Sequence, residues 1–323
     1  MYQLDRNCPP ERFYRGGDKI AQFRGLELSP EREPEDWVGS TVTLFGDADL
    51  GLSRLPDGRF VRDALLADPV FWFGSEHLEA FGADPMVLTK LLEAGERLPV
   101  HAHPHSGFAH EHFGSTHGKA EAWYVLSPGE VWLGIARELS SSVLAELVEQ
   151  QRVDEMRGYL HRLNVSAGEI VYVPPGTLHA IGSGVFVVEV QEPTDLSILA
   201  EWKDFDIDGA QLGHLGVGFD LALQAVDLAV LDEAAVQNLV STTGELSTEY
   251  FRIRRVDISG EIFLPASYAV VVVVDGAIRV ESEYGEGACW ESGTTWLVPH
   301  GDGQLTLTGS GSVVVCQPPV AAV

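Results

Sequence analysis

Positive charge is scarce in this chain: 21 lysines and arginines stand against 48 aspartates and glutamates, a formal net charge of −27. No basic patch offsets that repulsion, so DNA, RNA and anionic membrane surfaces are not expected as partners. The acids are spread along the chain, which reads as a solvated anionic surface and not as a disordered tail. Cysteine is scarce as well. Cys8, Cys289 and Cys316 are odd in number and far apart, so no disulfide framework or C-x-x-C site follows, and a reducing cytoplasm is the expected location. Long hydrophobic runs are missing: the longest strongly apolar stretch, 268–274, is too short for a bilayer and reads as a buried strand. The polar start, MYQLDRNCPPERF, carries no secretory signal. The 323 residues, 45% of them apolar, suffice for a sizeable core in one or two domains.

Histidine, in contrast, is concentrated. Six of the eleven histidines lie in 101–117, within GERLPVHAHPHSGFAHEHFGSTHGKAE. Side chains alternate faces along a strand, so His101 and His103 project the same way, about 7 Å apart. Two imidazoles on one face can chelate a metal ion. Glu121 offers a carboxylate, and the strongly apolar AWYVL after it predicts a buried strand. A buried carboxylate wants a cation, although a surface position is the competing reading. Downstream, GEIVYVPPGTLHA places Gly168, Pro174, Gly176 and His179 in the order G-x5-P-x-G-x2-H. In order, the two segments resemble the paired signature of the cupin barrel. His, His, Glu and His suit Zn²⁺, with Mn²⁺ and Fe²⁺ as alternatives. Lys119 shares the face of Glu121 and is a candidate for proton transfer, because a nearby divalent cation favours a neutral amine. A salt bridge at the rim is the alternative. His105 extends the alternating series past Pro104 and is expected to line the substrate pocket.

The remaining elements follow from periodicity and turn chemistry. Residues 1–36 read as irregular, wrapping the first barrel. Strands are predicted at 37–45, 85–92, 120–126, 131–136, 169–173 and 185–190. Helix is predicted over 61–82 with a break at Pro69, over 142–163 as an amphipathic helix or helix pair, and over 219–230. The segment 104–117 reads as a loop lining the site. Residues 249–316 read as all β, and GTTWLVPHG at 293–301 echoes the downstream motif, with Gln304 where its histidine would fall. The expected fold is therefore mainly β. Two cupin (jelly-roll) barrels are joined, with a helical insert in and after the first: an N-terminal metal-binding cupin of 1–140 and 164–208, a helical insert of 141–163, a helical connection of 209–248, and a C-terminal degenerate cupin of 249–323 without metal.

The pieces ERFYRGGDKI, WVGS, KLLEAGERLPVHAHP, GKAEAWYVL and VPPGTLHAIGSGVFVVEVQEPTD, in that order, resemble the type I mannose-6-phosphate isomerases. The likeness covers nearly the first two thirds of the chain. It implies a zinc-dependent cupin that interconverts an aldose and a ketose phosphate in the cytoplasm. Carried over by position, His103, Glu121 and His179 fall on zinc ligands, and Lys119 and Asp195 on active-site residues. Three positions depart from the family pattern. His101 replaces a glutamine ligand, Pro99 replaces a serine near the substrate phosphate, and Leu199 replaces an arginine. Lys203 is the nearby candidate for the missing cation, with Arg252 and Arg254 further off. The expected partner is a small sugar or sugar phosphate, bound by a monomer or homodimer. A cupin dioxygenase and a non-catalytic sugar-binding protein are the alternatives from other classes.

Overall fold

The computed structural model describes residues 1–28 and 30–321. The chain is mainly β, with every strand ladder antiparallel and the strands gathered in three sheets. The first is six-stranded, in the spatial order Val240–Ser241, Ile170–Val173, Glu121–Ser127, Phe186–Gln191, Leu88–Glu93, Glu35–Val38. The second is five-stranded, in the order Ile198–Leu199, His101–Ala102, His179–Ile181, Gly129–Ile135, Leu160–Val165. Leu92, Trp123, Val125 and Val187 of the first sheet meet Val131, Leu133 and Ile181 of the second in one core. These are alternate residues of each strand, as the two-residue period requires.

The intervening residues of the six-stranded sheet are buried as well. Leu91, Tyr124, Val188 and Val190 pack on Phe251, Val270, Val272 and Val314 of the third sheet. Every residue of 186–191 and 88–93 is therefore buried, since these strands are covered on both faces. The third sheet has seven strands, dominated by Arg252–Leu264, Ala269–Ser282 and Leu305–Gln317. Its other face holds a separate core around Val271, Val273, Trp290, Trp296 and Val313. The helices Ser141–Glu149 and Val153–Arg157 bury Leu144, Leu147, Val148 and Met156 against Val100, Trp132 and Ile135, on the outer face of the five-stranded sheet.

Several elements differ from their sequence-based expectation. Residues 160–165 form a strand beside Gly129–Ile135 instead of continuing a helix. LHRLNV fits either period over so short a span, and the free edge of the sheet decides it. The stretch 104–117 holds a helix, Ser106–Phe113, started by His105 Nδ1, which accepts from Phe108 N at 3.2 Å, and ended by left-handed Gly114. Its helix propensity is weak, so the packing of Phe108 on Ile198, Ala222 and Ala225 stabilises it. The strand expected at 37–45 stops at Val38. Within 219–230, helix is confined to Phe219–Ala222 and a 3-10 turn, Leu223–Ala225. Residues 209–248 also contribute strands, Val240–Ser241 and Glu245–Ser247. The N-terminal 36 residues are less irregular than expected: Tyr2–Leu4 pairs with Thr295–Val298 of the third sheet, and Lys19–Phe23 is helical.

Candidate metal centre

Three strands and one turn bring the candidate ligands together. His101 faces His179 directly in the antiparallel pair. One step on, the His103 carbonyl accepts from Gly176 N at 2.7 Å, which ties the first histidine segment to the turn carrying His179. Gly176 has φ +82°, and a Cβ there would lie 3.0 Å from Ala225 O, so the turn requires glycine. Gly118 packs so closely on the Pro104–Ser106 backbone that a Cβ would come within 2.5 Å of Pro104 O. That close approach brings Lys119 and Glu121 in beside the histidines.

Each imidazole is oriented by a backbone carbonyl. Nδ1 of His101, His103 and His179 lies 2.8 Å from the oxygen of Pro99, Leu196 and Thr177 respectively. A carbonyl only accepts, so Nδ1 carries the proton and Nε2 keeps its lone pair. The ring centroids are 4.1 to 4.9 Å apart, and one nitrogen from each ring lies within 4.8 Å of the others. Glu121 completes the cluster, with Oε2 at 3.0 Å from His103 Nε2 and Oε1 at 3.2 Å from His179 Nε2. Lys119 Nζ donates to both His103 Nε2 and Glu121 Oε2 at 2.9 Å. Trp123 Nε1 donates to Glu121 Oε1 at 3.1 Å.

This packing pushes the imidazoles of His101 and His103 to their neutral form. Burial, then His179 and His103, hold His101 well below the usual histidine range. Burial and then the Lys119 ammonium bring His103 down to about 3. Burial of Glu121 alone would raise its carboxyl, but Lys119 and His103 outweigh it and keep the group ionised. The neutral His103 Nε2 and the Glu121 carboxylate therefore lie at hydrogen-bond distance, joined by the Lys119 ammonium. Without a cation there the contact would be repulsive. His179 Nε2 is buried without any hydrogen-bond partner, the state expected of an imidazole whose lone pair is meant for a metal. The donor set, three imidazoles and one carboxylate, fits a divalent ion. Among the described residues, His101, His103 and His179 are the cluster of His, Cys, Asp or Glu side chains that could hold one.

His101, Lys119 and Glu121 border a cavity of about 450 Å³. Asp195 borders it too, accepting from Phe45 N at 3.1 Å. Two expectations need correction. His105 is exposed, its Nδ1 spent on capping the Ser106–Phe113 helix, and it does not border the cavity. Lys203 is exposed beside Gln151 and does not border it either. Both follow from the chain path, since Pro104 ends the alternation before His105 and the chain reaches the surface at Lys203 and Asp204 after Trp202. Arg252 and Arg254 also lie elsewhere, on the third sheet, Arg252 donating to Pro318 O.

The cavity adds charged residues that sequence reasoning left unassigned: Arg12, Glu35, Lys90 and Glu189. Lys90 and Glu189 face each other in register, their charged atoms 3.3 Å apart, and both are almost fully buried. The available signal was a charge interrupting each of two apolar strands, LTKLLE and FVVEVQ. Against its own burial, Glu35 is brought down to about 2 by Arg12 and Lys90, with hydrogen bonds from Tyr14 and Trp37. Glu189 is pushed up by burial and then by Glu121.

A family model described as "Mannose-6-phosphate isomerase, cupin domain" matches residues 241–318. The chain is 26% identical over 314 residues to mannose-6-phosphate isomerase ManA of Bacillus subtilis (strain 168), covering 93% of this chain and 94% of that one. It is 29% identical over 280 residues to a mannose-6-phosphate isomerase of Streptococcus mutans, covering 82% of each. Its fold superimposes on a crystal structure of the Bacillus subtilis mannose 6-phosphate isomerase with TM-score 0.75 and 22% identity, over 98% of this chain and 100% of that one. A crystal structure of a mutant phosphomannose isomerase from Salmonella typhimurium gives 0.74 and 15%, over 99% and 100%.

Proposed function

We propose that this chain, a divergent relative of the mannose-6-phosphate isomerases, is an aldose–ketose isomerase that interconverts mannose 6-phosphate and fructose 6-phosphate, or a closely related sugar pair, with the help of a divalent metal ion. The observation that carries this reading is the convergence of the His101, His103 and His179 imidazoles, two of them with Nε2 on the Glu121 carboxylate, at the wall of a cavity that also exposes Lys119. His101, His103, Glu121 and His179 are the ligands in this reading, and Zn²⁺ is the first choice of metal for that donor set. The bound ion would supply electrophilic polarisation of the sugar's carbonyl and adjacent hydroxyl oxygens.

The rest is work for side chains. In the aldose-to-ketose direction a base removes the proton from C2 while O1 gains one, giving an enediol. The proton is returned to C1 as O2 loses its own. Lys119 is assigned to the carbon-bound proton. Its ammonium is held by His103 Nε2 and Glu121 Oε2, the two atoms that ligation would engage. Asp195, at the cavity wall, is assigned to the hydroxyl protons. The apolar wall at Leu98, Pro99, Ile181 and Leu199 excludes water from the reacting carbons.

At the level of architecture, this reading takes the six- and five-stranded sheets as a metal-binding cupin and the third sheet as a second, degenerate one. At the echo of the motif, Gln304 is exposed, with its backbone N–H donated to Glu283. The three free cysteines suit a cytoplasmic enzyme, and no helix among the described residues is long and apolar enough to cross a membrane. Because the curated relatives are isomerases, this reading stands ahead of a dioxygenase or a non-catalytic sugar-binding protein. The test is an NMR assay in D₂O with protein loaded with Zn²⁺, Mn²⁺ or Fe²⁺. Interconversion of the two hexose phosphates with deuterium entering at the transferred position supports it. Oxygen uptake without interconversion, or no turnover of any sugar in a panel of free and phosphorylated hexoses, would overturn it.

A further inference from the structure

Three basic side chains border the cavity: Arg12, Lys90 and Lys119. Two of them each face more than one partner. Lys119 is bonded at 2.9 Å to both His103 and Glu121. Lys90 is 2% exposed, paired with Glu189 at 3.3 Å and Glu35 at 4.0 Å, and lies 4.7 Å from the centre of the Trp37 ring. Arg12 is different. A guanidinium carries five N–H donors in a planar fork, yet among the described residues this side chain has one ion-pair contact, Nη2 to Glu35 Oε1 at 3.4 Å, with the Tyr14 hydroxyl beside it. Its Nε is buried with no partner.

Glu35, which Arg12 helps to keep ionised, also has partners of its own. It accepts from Trp37 Nε1 at 2.6 Å and from the Tyr14 hydroxyl, and it lies beside Lys90. Arg12 thus keeps charged donors in reserve at a cavity that Phe13, Phe45 and Leu92 also border, with the acids Glu35 and Asp195 near it. A buried guanidinium with unused donors is costly unless something accepts from it. A phosphate, with several oxygens in fork-compatible geometry, is the acceptor that best matches it.

We propose that Arg12 is the specificity-determining residue of this site: it receives the phosphate of a phosphorylated sugar and makes the enzyme prefer that sugar over its free form. This rests on the isomerase reading above and deepens it. The test compares wild type, Arg12→Gln and Arg12→Lys, all Zn²⁺-loaded, on mannose 6-phosphate and on mannose. A parallel calorimetric titration uses glucitol 6-phosphate and glucitol, which carry no carbonyl to isomerise. Arg12→Gln lowers kcat/KM for mannose 6-phosphate about 10- to 100-fold, the range of a charged hydrogen-bonded contact, and leaves mannose within about threefold. It weakens glucitol 6-phosphate binding by the same factor and spares glucitol. Arg12→Lys keeps a positive charge beside Glu35, so the fold is preserved, and it recovers part of the preference.

An equal fall on both sugars in both variants would make Arg12 merely structural and overturn the proposal. So would an unchanged preference in Arg12→Gln, or a wild type with no preference for the phosphorylated sugar. If the wild type isomerises neither sugar, mannose 6-phosphate is not its substrate, and the glucitol 6-phosphate titration still decides the role of Arg12.

Discussion

Replacing Glu121 by glutamine keeps the shape of the cluster and removes its one carboxylate. In the metal-free protein the loss falls on Lys119. Its ammonium is 5% exposed and would be left with a neutral amide and a neutral imidazole. Breaking a buried pair by removing one partner costs about 3–5 kcal/mol. A second route sets a ceiling: a lysine can release its proton, which at pH 7 costs about 4.6 kcal/mol for a side chain of ordinary basicity. The two figures agree, so a loss of about 3–5 kcal/mol is expected at pH 7. At pH 9 the ceiling falls to about 1.9 kcal/mol, so the defect must shrink. Adding Lys119→Met removes the stranded charge and recovers most of the stability, because a buried pair replaced by apolar groups is often neutral. Urea unfolding of wild type, both single variants and the double variant, metal-free at pH 7 and pH 9, measures this cycle. A double variant no more stable than Glu121→Gln, or a defect that grows with pH, would refute the reasoning.

Other expectations are briefer. Lys119→Met retains the metal and loses about 10²- to 10⁴-fold in kcat, the range for a positioned proton-transfer group, as an NMR turnover assay with a parallel metal analysis would show. Lys203→Ala and His105→Ala leave kcat/KM within about threefold, because neither borders the cavity; a larger fall in the same assay places them at the substrate. His117 is raised to about 9, against its burial, by hydrogen bonds to Asp84 and then Glu192. Its folded value lies above its unfolded one, so the stability it adds is complete below about pH 6.5 and is lost as pH rises through about 9. Denaturant midpoints of wild type and His117→Gln therefore differ most near about pH 6 and converge above about pH 9.5.

The centre was legible where its chemistry is local. His101 and His103 share a face by strand period, Lys119 and Glu121 do the same, and the glycine-proline turn before His179 is written in the chain. The all-β reading of 249–316 followed from the same alternation. What escaped was set by distant contacts. Arg12 reaches the cavity through Tyr14 and Glu35, and no spacing rule joins residue 12 to residue 101. The helix after His105 exists because Phe108 has a pocket to fill, not because its residues favour helix. The strand 160–165 exists because a neighbouring strand has a free edge. Lys203 is near Leu199 in sequence, but the chain reaches the surface in between.

The central claim is that His101, His103, Glu121 and His179 grip one divalent ion on which isomerisation depends. Metal content and turnover, measured on the same preparations of wild type and His179→Ala, test it directly. The wild type is expected to hold one divalent ion per chain and to isomerise its sugar, and the variant to lose both. A His179→Ala protein that is free of metal yet keeps full turnover, or one that binds the ion as well as wild type does, would contradict the claim.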